Sequence, residues 1–450
     1  MLSSVAKLFV IVILLPFSNG IKAQDFQFDY SFFTRLGYSD NLVQLSPTPG
    51  STVEEESGTS RSGGLNFSFN SARNNTLVAN IEGEFSRTRF STDELSSDNE
   101  KNFEASILYQ PENRNFQLAI LDTINQVELD RESSRSVNNV RDLHTFSVIP
   151  SYFVRMSPLS QINTDYRYTK TDDDDGLSSA VVNSATVGYQ KQILSDVVWS
   201  INVRGTNTEF EDLDAEFDQE EVFLRLNGGG GRTLFDFQIG RQRAVNPDIE
   251  PENYSYQNAA RLSINRQINS FSGLNLVVRQ GFGDFLNVNL DNALVQISSN
   301  DQAGFIEGVV KEKQVTLDYS YNNRSLVFAG FIGTRSLEDD NEITSNSATI
   351  DEDENFLGFV VGDRILDPTS GRGALDYTFN YRYREIDFNL TDTEIKTNEA
   401  QIRLTYMNSE KLETFIELAS RNVAGSGPGL REVDEGQVLI GLRFSPRGLR

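Results

Sequence analysis

Between Ala374 and Phe388 the chain reads ALDYTFNYRYREIDF. Leu375, Tyr377, Phe379, Tyr381 and Tyr383 are apolar or aromatic, and the positions between them, Asp376, Thr378, Asn380, Arg382 and Arg384, are polar. Side chains along a β-strand point alternately to its two faces, so this stretch has one oily face and one wet face. A half-buried strand of a soluble sandwich alternates as well, but usually over about five or six residues. About ten alternating residues are what a tilted strand needs to cross a bilayer. The stretch therefore predicts a wall strand of a transmembrane barrel, and the rest of the chain has to supply the other strands.

It does. Alternation recurs at 26–36, 65–70, 77–85, 102–109, 116–124, 145–154, 162–168, 181–189, 197–203, 222–227, 234–239, 260–264, 274–282, 309–321, 325–332, 356–365, 400–406, 413–418 and 437–444. With 374–388 this makes about twenty strands, in a range of roughly 16 to 22. Short connections rich in Gly, Asn, Pro and Ser (71–75, 111–114, 156–159, 193–196, 228–232, 269–273, 322–324, 367–373, 408–411) have hairpin chemistry. They alternate with longer polar loops at 37–60, 90–100, 128–141, 171–179, 210–219, 245–255, 284–303, 337–354, 389–397 and 423–436. Outer-membrane barrels sort their connections in this way, with short periplasmic turns and long external loops. The fold expected is all-β: a transmembrane antiparallel barrel with long acidic external loops.

The mean hydropathy of −0.40 resembles that of a soluble protein. A barrel with a wet lumen has the same bulk value, so hydropathy does not separate the two. The N-terminus gives the compartment. Lys7 precedes the apolar run Leu8 to Phe17, and small residues follow at Ser18-Asn19-Gly20 and at Ala23. This pattern predicts a secretory signal peptide over 1–23, cleaved after 20 or 23, and a barrel over 24–450. The chain has no cysteine, which excludes a lipoprotein anchor and disulfides.

Charge is sorted along the chain. The ten long loops hold 39 acids and 5 bases, a net of −34 against −25 for the whole protein. With the two lysines of the signal segment set aside, the wall and turns carry about +7. Most wall bases fall on the polar phase of their strands: Arg35, Arg155, Arg167, Arg204, Arg225, Arg261, Arg279, Arg382, Arg384, Arg403, Arg421 and Arg443. Arg at mid-membrane on the lipid face costs about 2–4 kcal/mol, so these side chains are expected in the lumen. Acids share the phase at Asp29, Glu82, Glu84, Asp165, Asp236, Asp318, Asp376 and Glu417. Pairing of these charges across neighbouring strands is the plain expectation. Twenty strands would enclose a cylinder roughly 40 Å across, too wide for wall side chains alone to fill.

Other motifs carry little chemistry. Asp172-Asp173-Asp174-Asp175-Gly176 places a glycine where a calcium loop needs its third ligand, and with Asp351-Glu352-Asp353-Glu354 it reads as a solvated acidic loop. Gly228 to Gly231 has no Lys-Ser/Thr after it and is a turn, not a phosphate loop. His144 is the single histidine and has no serine motif beside it, so neither an enzyme nor a cofactor or metal site is expected. A pI near 4.5 together with export argues against nucleic acid as a partner.

Two patches bear a family resemblance. The first strand runs into Leu36-Gly37-Tyr38-Ser39-Asp40-Asn41-Leu42 and then Leu45-Ser46-Pro47; a later one ends Gly362-Asp363-Arg364-Ile365-Leu366-Asp367-Pro368-Thr369-Ser370. In these, and in its architecture, the chain resembles the β-barrel porin-2 group of outer-membrane proteins encoded with exopolysaccharide and capsule genes in Gram-negative bacteria. The resemblance implies a part in exporting or assembling a surface polysaccharide, and brings no catalytic residues. The expected partners are the outer-membrane bilayer, the barrel-assembly machinery and an anionic polysaccharide. Residues Ser445 to Arg450 follow Phe444, whereas barrels often end on the aromatic itself. Two other functions fit the residues: a general or selective porin for small solutes, and a structural or adhesive surface barrel.

Overall fold

A computed structural model describes residues 26–446 apart from 41–56, 74–75, 92–96, 112–114, 129–139, 174–178, 211–214, 247–253, 284–309, 324–325, 340–350, 367–373, 391, 410 and 427–432. Residues 1–23, expected to be a signal peptide, together with Asp174 to Gly176 and most of the longest loops, lie outside the described residues.

Twenty strands make the wall: β1 (Phe26–Ser39), β2 (Gly58–Arg73), β3 (Leu77–Phe90), β4 (Asp98–Tyr109), β5 (Phe116–Glu128), β6 (Val140–Ser157), β7 (Ser160–Asp173), β8 (Ser179–Leu194), β9 (Val197–Phe210), β10 (Ala215–Gly230), β11 (Thr233–Val245), β12 (Tyr254–Gln267), β13 (Ser272–Gly283), β14 (Val310–Asn322), β15 (Val327–Asp339), β16 (Asp351–Leu366), β17 (Ala374–Phe388), β18 (Thr393–Ser409), β19 (Leu412–Ser426) and β20 (Val433–Phe444). Each is antiparallel to the next, as in β17–β18 with Asn380 opposite Gln401. The ladder closes where Phe32 to Ser39 of β1 pairs with Phe444 to Gln437 of β20. Asp40 locks the seam: its N–H donates to Gly436 O at 3.2 Å, and its Oδ1 accepts from Gly436 N at 2.7 Å. Closure leaves no strand edge unpaired along most of the wall, as hydrocarbon surroundings require.

Several strands begin earlier than alternation predicts. β10, β16 and β18 start at Ala215, Asp351 and Thr393, inside stretches expected to be loop. In β16 both faces are polar there, and in β10 and β18 the outward phase is polar while the inward one holds Phe217 and Ile395, so the pattern of the wall is absent or inverted. The run Asp351 to Glu354 is consequently wall, and not the solvated loop its composition implies. At the other end the hairpins are tight. Gly231, with φ of 61°, turns β10 into β11, a conformation a residue with a Cβ adopts reluctantly.

Following the registers round the barrel gives two faces. One carries Val203, Leu224, Ile239, Ile332 and Ile440, which are 55%, 51%, 49%, 56% and 53% exposed. The other carries Asn202, Thr206, Glu221, Glu312 and Glu354, all buried. Exposed aliphatics over a buried polar interior invert the soluble rule and define a wall facing hydrocarbon outside and polar groups inside.

The inner face is smoothed by a repeated unit. Phe33 lies opposite Gly64, Phe223 opposite Gly240, Phe331 opposite Gly358, and Phe415 opposite Gly441. A Cβ on Gly64, Gly358 or Gly441 would run into the ring, at 2.6 Å for Gly358, and one on Gly240 would meet the Cβ of Phe223 at 2.7 Å. The missing side chain lets the ring lie flat on the neighbouring strand. Three of these rings then carry a guanidinium: Arg35 over Phe33 at 4.2 Å, Arg204 over Phe223 at 5.2 Å and Arg403 over Phe415 at 3.9 Å. Gly441→Val therefore pushes Phe415 and Arg403 into the lumen and destabilises the barrel by about 1–3 kcal/mol. A urea midpoint in lipid vesicles measures the loss, and adding Phe415→Leu restores part of it. An unchanged midpoint would mean that the ring does not rest on Gly441.

Candidate functional site: the inner wall

The richest part of the inner face spans β7 to β14. A cavity of about 510 Å³ there is lined by Arg167, Arg204, Arg225, Arg261 and Arg279, by the acids Asp165, Glu221, Asp236 and Glu312, and by Asn163, Asn202, Gln219, Gln238 and Gln242. Arginines from five strands meet because the registers stack their polar phases: Arg225 opposite Gln238, Gln238 opposite Arg261, Arg261 opposite Arg279. The wall also parts above this layer. Pairing of β12 with β13 ends at Ala260–Gln280, and Phe282 N–H donates instead to Gln242 Oε1 of β11 at 2.7 Å.

Three of these cations are tied to carboxylates. Arg225 Nε donates to both Asp236 oxygens, at 2.9 and 3.1 Å. Arg204 Nη1 is 3.4 Å from Glu221, which also accepts from Gln238 Nε2 at 2.9 Å. Glu312 is shared by Arg335 at 3.1 Å and Arg279 at 3.6 Å. Each guanidinium has five N–H donors, more than a single carboxylate takes up.

The other predicted inner-wall residues are spread over a second sector. Arg35 pairs with Glu84 at 2.9 Å; Arg403 and Arg443 converge on Glu413 at 3.1 and 3.7 Å. Arg384 Nε donates to Glu354 Oε1 at 2.7 Å. Asp376 pairs with Arg364 at 2.9 Å, so it serves neither Arg382 nor Arg384. Arg382, between Asn380 and Arg384, shares their inward phase. Glu354, Glu413, Arg335 and Arg364 were not singled out from the sequence. Glu354 was hidden in an acidic run and Arg335 lies beyond the recognisable alternation of β15. Glu413 stood in plain view on the polar phase of its strand.

Above the charged layer, near the long connections, the inner phase turns apolar. Leu143, Val182, Phe210, Phe217, Val310 and Leu337 belong to one buried cluster, with Phe210 and Phe217 edge to face at 5.8 Å. No period-two argument finds this collar, because its members sit on the face that is polar elsewhere. His144 lies on the opposite, outward phase, its Nε2 2.6 Å from Asp122 Oδ1. Among the described residues no group of three or more His, Asp or Glu side chains could hold a metal ion. Within 351–354 the strand sends Glu352 and Glu354 inward and the other two acids outward.

A closed ring of twenty antiparallel strands, aliphatic outside and charged inside, is a multi-pass β-barrel of the outer membrane. No family model matches the chain, and no curated protein matches it. Solved structures of similar outline include the apoprotein of the FrpB iron transporter (F5-1 variant) from Neisseria meningitidis, at 7% identity, with 93% of this chain and 81% of that one covered and a TM-score of 0.45. The siderophore receptor PirA from Pseudomonas aeruginosa has 9% identity, coverage of 93% and 80%, and a TM-score of 0.43. OccK2 (OpdF) from Pseudomonas aeruginosa, solved in complex with glucuronate, has 10% identity, coverage of 93% and 98%, and a TM-score of 0.36. The class stated above rests on the closure, registers and face polarity of this chain and not on those likenesses.

Proposed function

We propose that the barrel passes an anionic or heavily hydroxylated glycan across the outer membrane, in the export or assembly of a surface exopolysaccharide or capsule. The observation that supports this is the paired inner wall: arginines held by carboxylates and interleaved with amides around the 510 Å³ cavity. Sugar hydroxyls need donors and acceptors together, and Arg with Asn, Gln and Asp supplies both. Pairing also tempers the field. A lumen of bare guanidinium groups would hold an anionic chain too tightly for it to leave, and conduction needs weak, repeated sites. Carboxylate-rich connections at the far end discourage return, an effect that weakens as salt shortens the screening length. The resemblance to barrels encoded with polysaccharide genes supports the same direction. Passage of small solutes is the second reading, favoured by a cavity whose volume falls in the range of single-ligand pockets.

Arg382 and Arg384 provide the test. Because Arg384 anchors the buried Glu354, the variant that removes both cations is Arg382→Gln with Arg384→Gln and Glu354→Gln. At normal barrel abundance, surface polysaccharide is expected to fall, and the anion-to-cation permeability ratio to drop by about twofold or more. Altered selectivity with unchanged polysaccharide would give the small-solute reading. No change in either would leave these residues a structural role alone.

A further inference from the structure

On the outward face, apolar runs give way to bases towards the long connections. β3 carries Ile81 and Phe85, then Arg87 and Arg89; β11 carries Phe237 and Ile239, then Arg241 and Arg243; β14 carries Leu317 and Val315, then Lys313 and Lys311. The patch on β2 and β3 is the most unbalanced. Arg61 stands directly opposite Arg89, and Arg87 is one pleat closer to the apolar band, opposite Gly63. All three side chains are exposed. The outward positions of β1 to β4 hold no Asp or Glu among the described residues. Arg87 Nη2 reaches the Ser97 hydroxyl at 3.5 Å, a neutral partner.

Like charges directly opposite each other destabilise a sheet. The β11 patch resolves the same problem internally: Arg243 is 2.7 Å from Glu220 and lies over Tyr254 at 4.9 Å, and Arg241 lies over Tyr256 at 5.2 Å. On β2 and β3 no acid among the described residues faces the patch, and an anion from outside the chain would neutralise it. The height of the patch says where from. Just below it, Phe67 and Phe85 stack at 5.9 Å in the apolar band. Beside it Leu36 and Tyr38 face outward, 58% and 49% exposed, with Tyr38 at the level that interfacial aromatics occupy. The guanidinium groups thus sit where hydrocarbon gives way to headgroups, at the end that in outer-membrane barrels faces outside.

We propose that Arg61, Arg87 and Arg89 form a docking patch for the phosphorylated headgroup of an outer-leaflet lipid. Guanidinium pairs bidentately with phosphate, and three such groups facing one way over an apolar wall match an amphiphile with an anionic head. A free anion lacks the apolar half of that match.

The experiment uses the folded full-length barrel in neutral-detergent micelles, titrated with a short-chain diphosphorylated glycolipid and separately with inorganic pyrophosphate. The glycolipid is expected to bind, more weakly as salt rises, and Arg61→Gln/Arg87→Gln/Arg89→Gln to lower its affinity by about 100-fold. Lys191→Gln, on the outward face at the opposite end of the wall, should bind like the parent. Undiminished binding by the triple variant overturns the proposal. So does pyrophosphate displacing the glycolipid at equal concentration, which would make the patch a free-anion site. Arg89→Gln alone gives an independent reading. Relief of the Arg61–Arg89 repulsion raises its melting temperature in neutral detergent, and saturating glycolipid erases that advantage. A lower melting temperature in neutral detergent would count against the like-charge argument.

Discussion

Phe379→Arg is expected to hinder assembly of the barrel, whereas Asn380→Arg, one residue along β17, is expected to leave it folded. Phe379 is on the outward face, its ring 5.7 Å from that of Phe359 on β16. A guanidinium there faces hydrocarbon at a cost of about 2–4 kcal/mol and loses an aromatic contact as well. Asn380 points inward, where its Nδ2 donates to Gln401 Oε1 at 2.8 Å. An Arg at that position joins Arg382 and Arg384 on a wall already built of ion pairs. Heat-modifiable migration of the two variants on a gel separates the outcomes, and equal behaviour would mean that β17 does not stand between two media.

Arg335→Met is expected to cost about 3–5 kcal/mol of unfolding free energy, against about 0–1 kcal/mol for Arg225→Met. Both arginines pair with a carboxylate on the inner face. Glu312, the partner of Arg335, is 2% exposed and so cannot turn to water when Arg335 is lost. Arg279 at 3.6 Å is too distant to replace a direct hydrogen bond. In the Arg225–Asp236 pair the side chains are 45% and 29% exposed, and solvent takes over. Adding Glu312→Gln to Arg335→Met should recover much of the loss, because the buried charge is then gone. Urea unfolding of vesicle-inserted protein measures all three variants. Equal midpoints for Arg335→Met and Arg225→Met would show that the interior is wet throughout.

Most of the strands could be read from the chain because face polarity is a local property. Each wall residue is selected by the medium it touches, so Tyr377, Phe379 and Tyr381 announce hydrocarbon, and Asp376, Asn380 and Arg382 announce water, with no knowledge of the neighbouring strand. Where both faces are wet that signal disappears. The start of β16 was therefore missed, and Glu352 and Glu354 with it. Where the inner face is dry the signal misleads instead, as at Phe210 and Phe217.

The sequence by itself determined that this is a closed, two-faced wall of about twenty strands, because period-two alternation repeated between short and long connections admits little else. It also sorts the arginines of the polar phase from the aromatics of the apolar one, since that alternation is written residue by residue. Only the tertiary structure decided which charge meets which. Arg384 goes to Glu354 and Asp376 to Arg364 because of the β16–β17 register, including its bulge between Arg364 and Leu366. Likewise the rest of Phe415 on Gly441, the convergence of Arg403 and Arg443 on Glu413, and the opposition of Arg61 to Arg89 follow from stagger between strands. Stagger is fixed by hydrogen-bond ladders between strands and by the shear of the closed barrel, and a strand's own alternation reads the same whichever partner residue lies across from it.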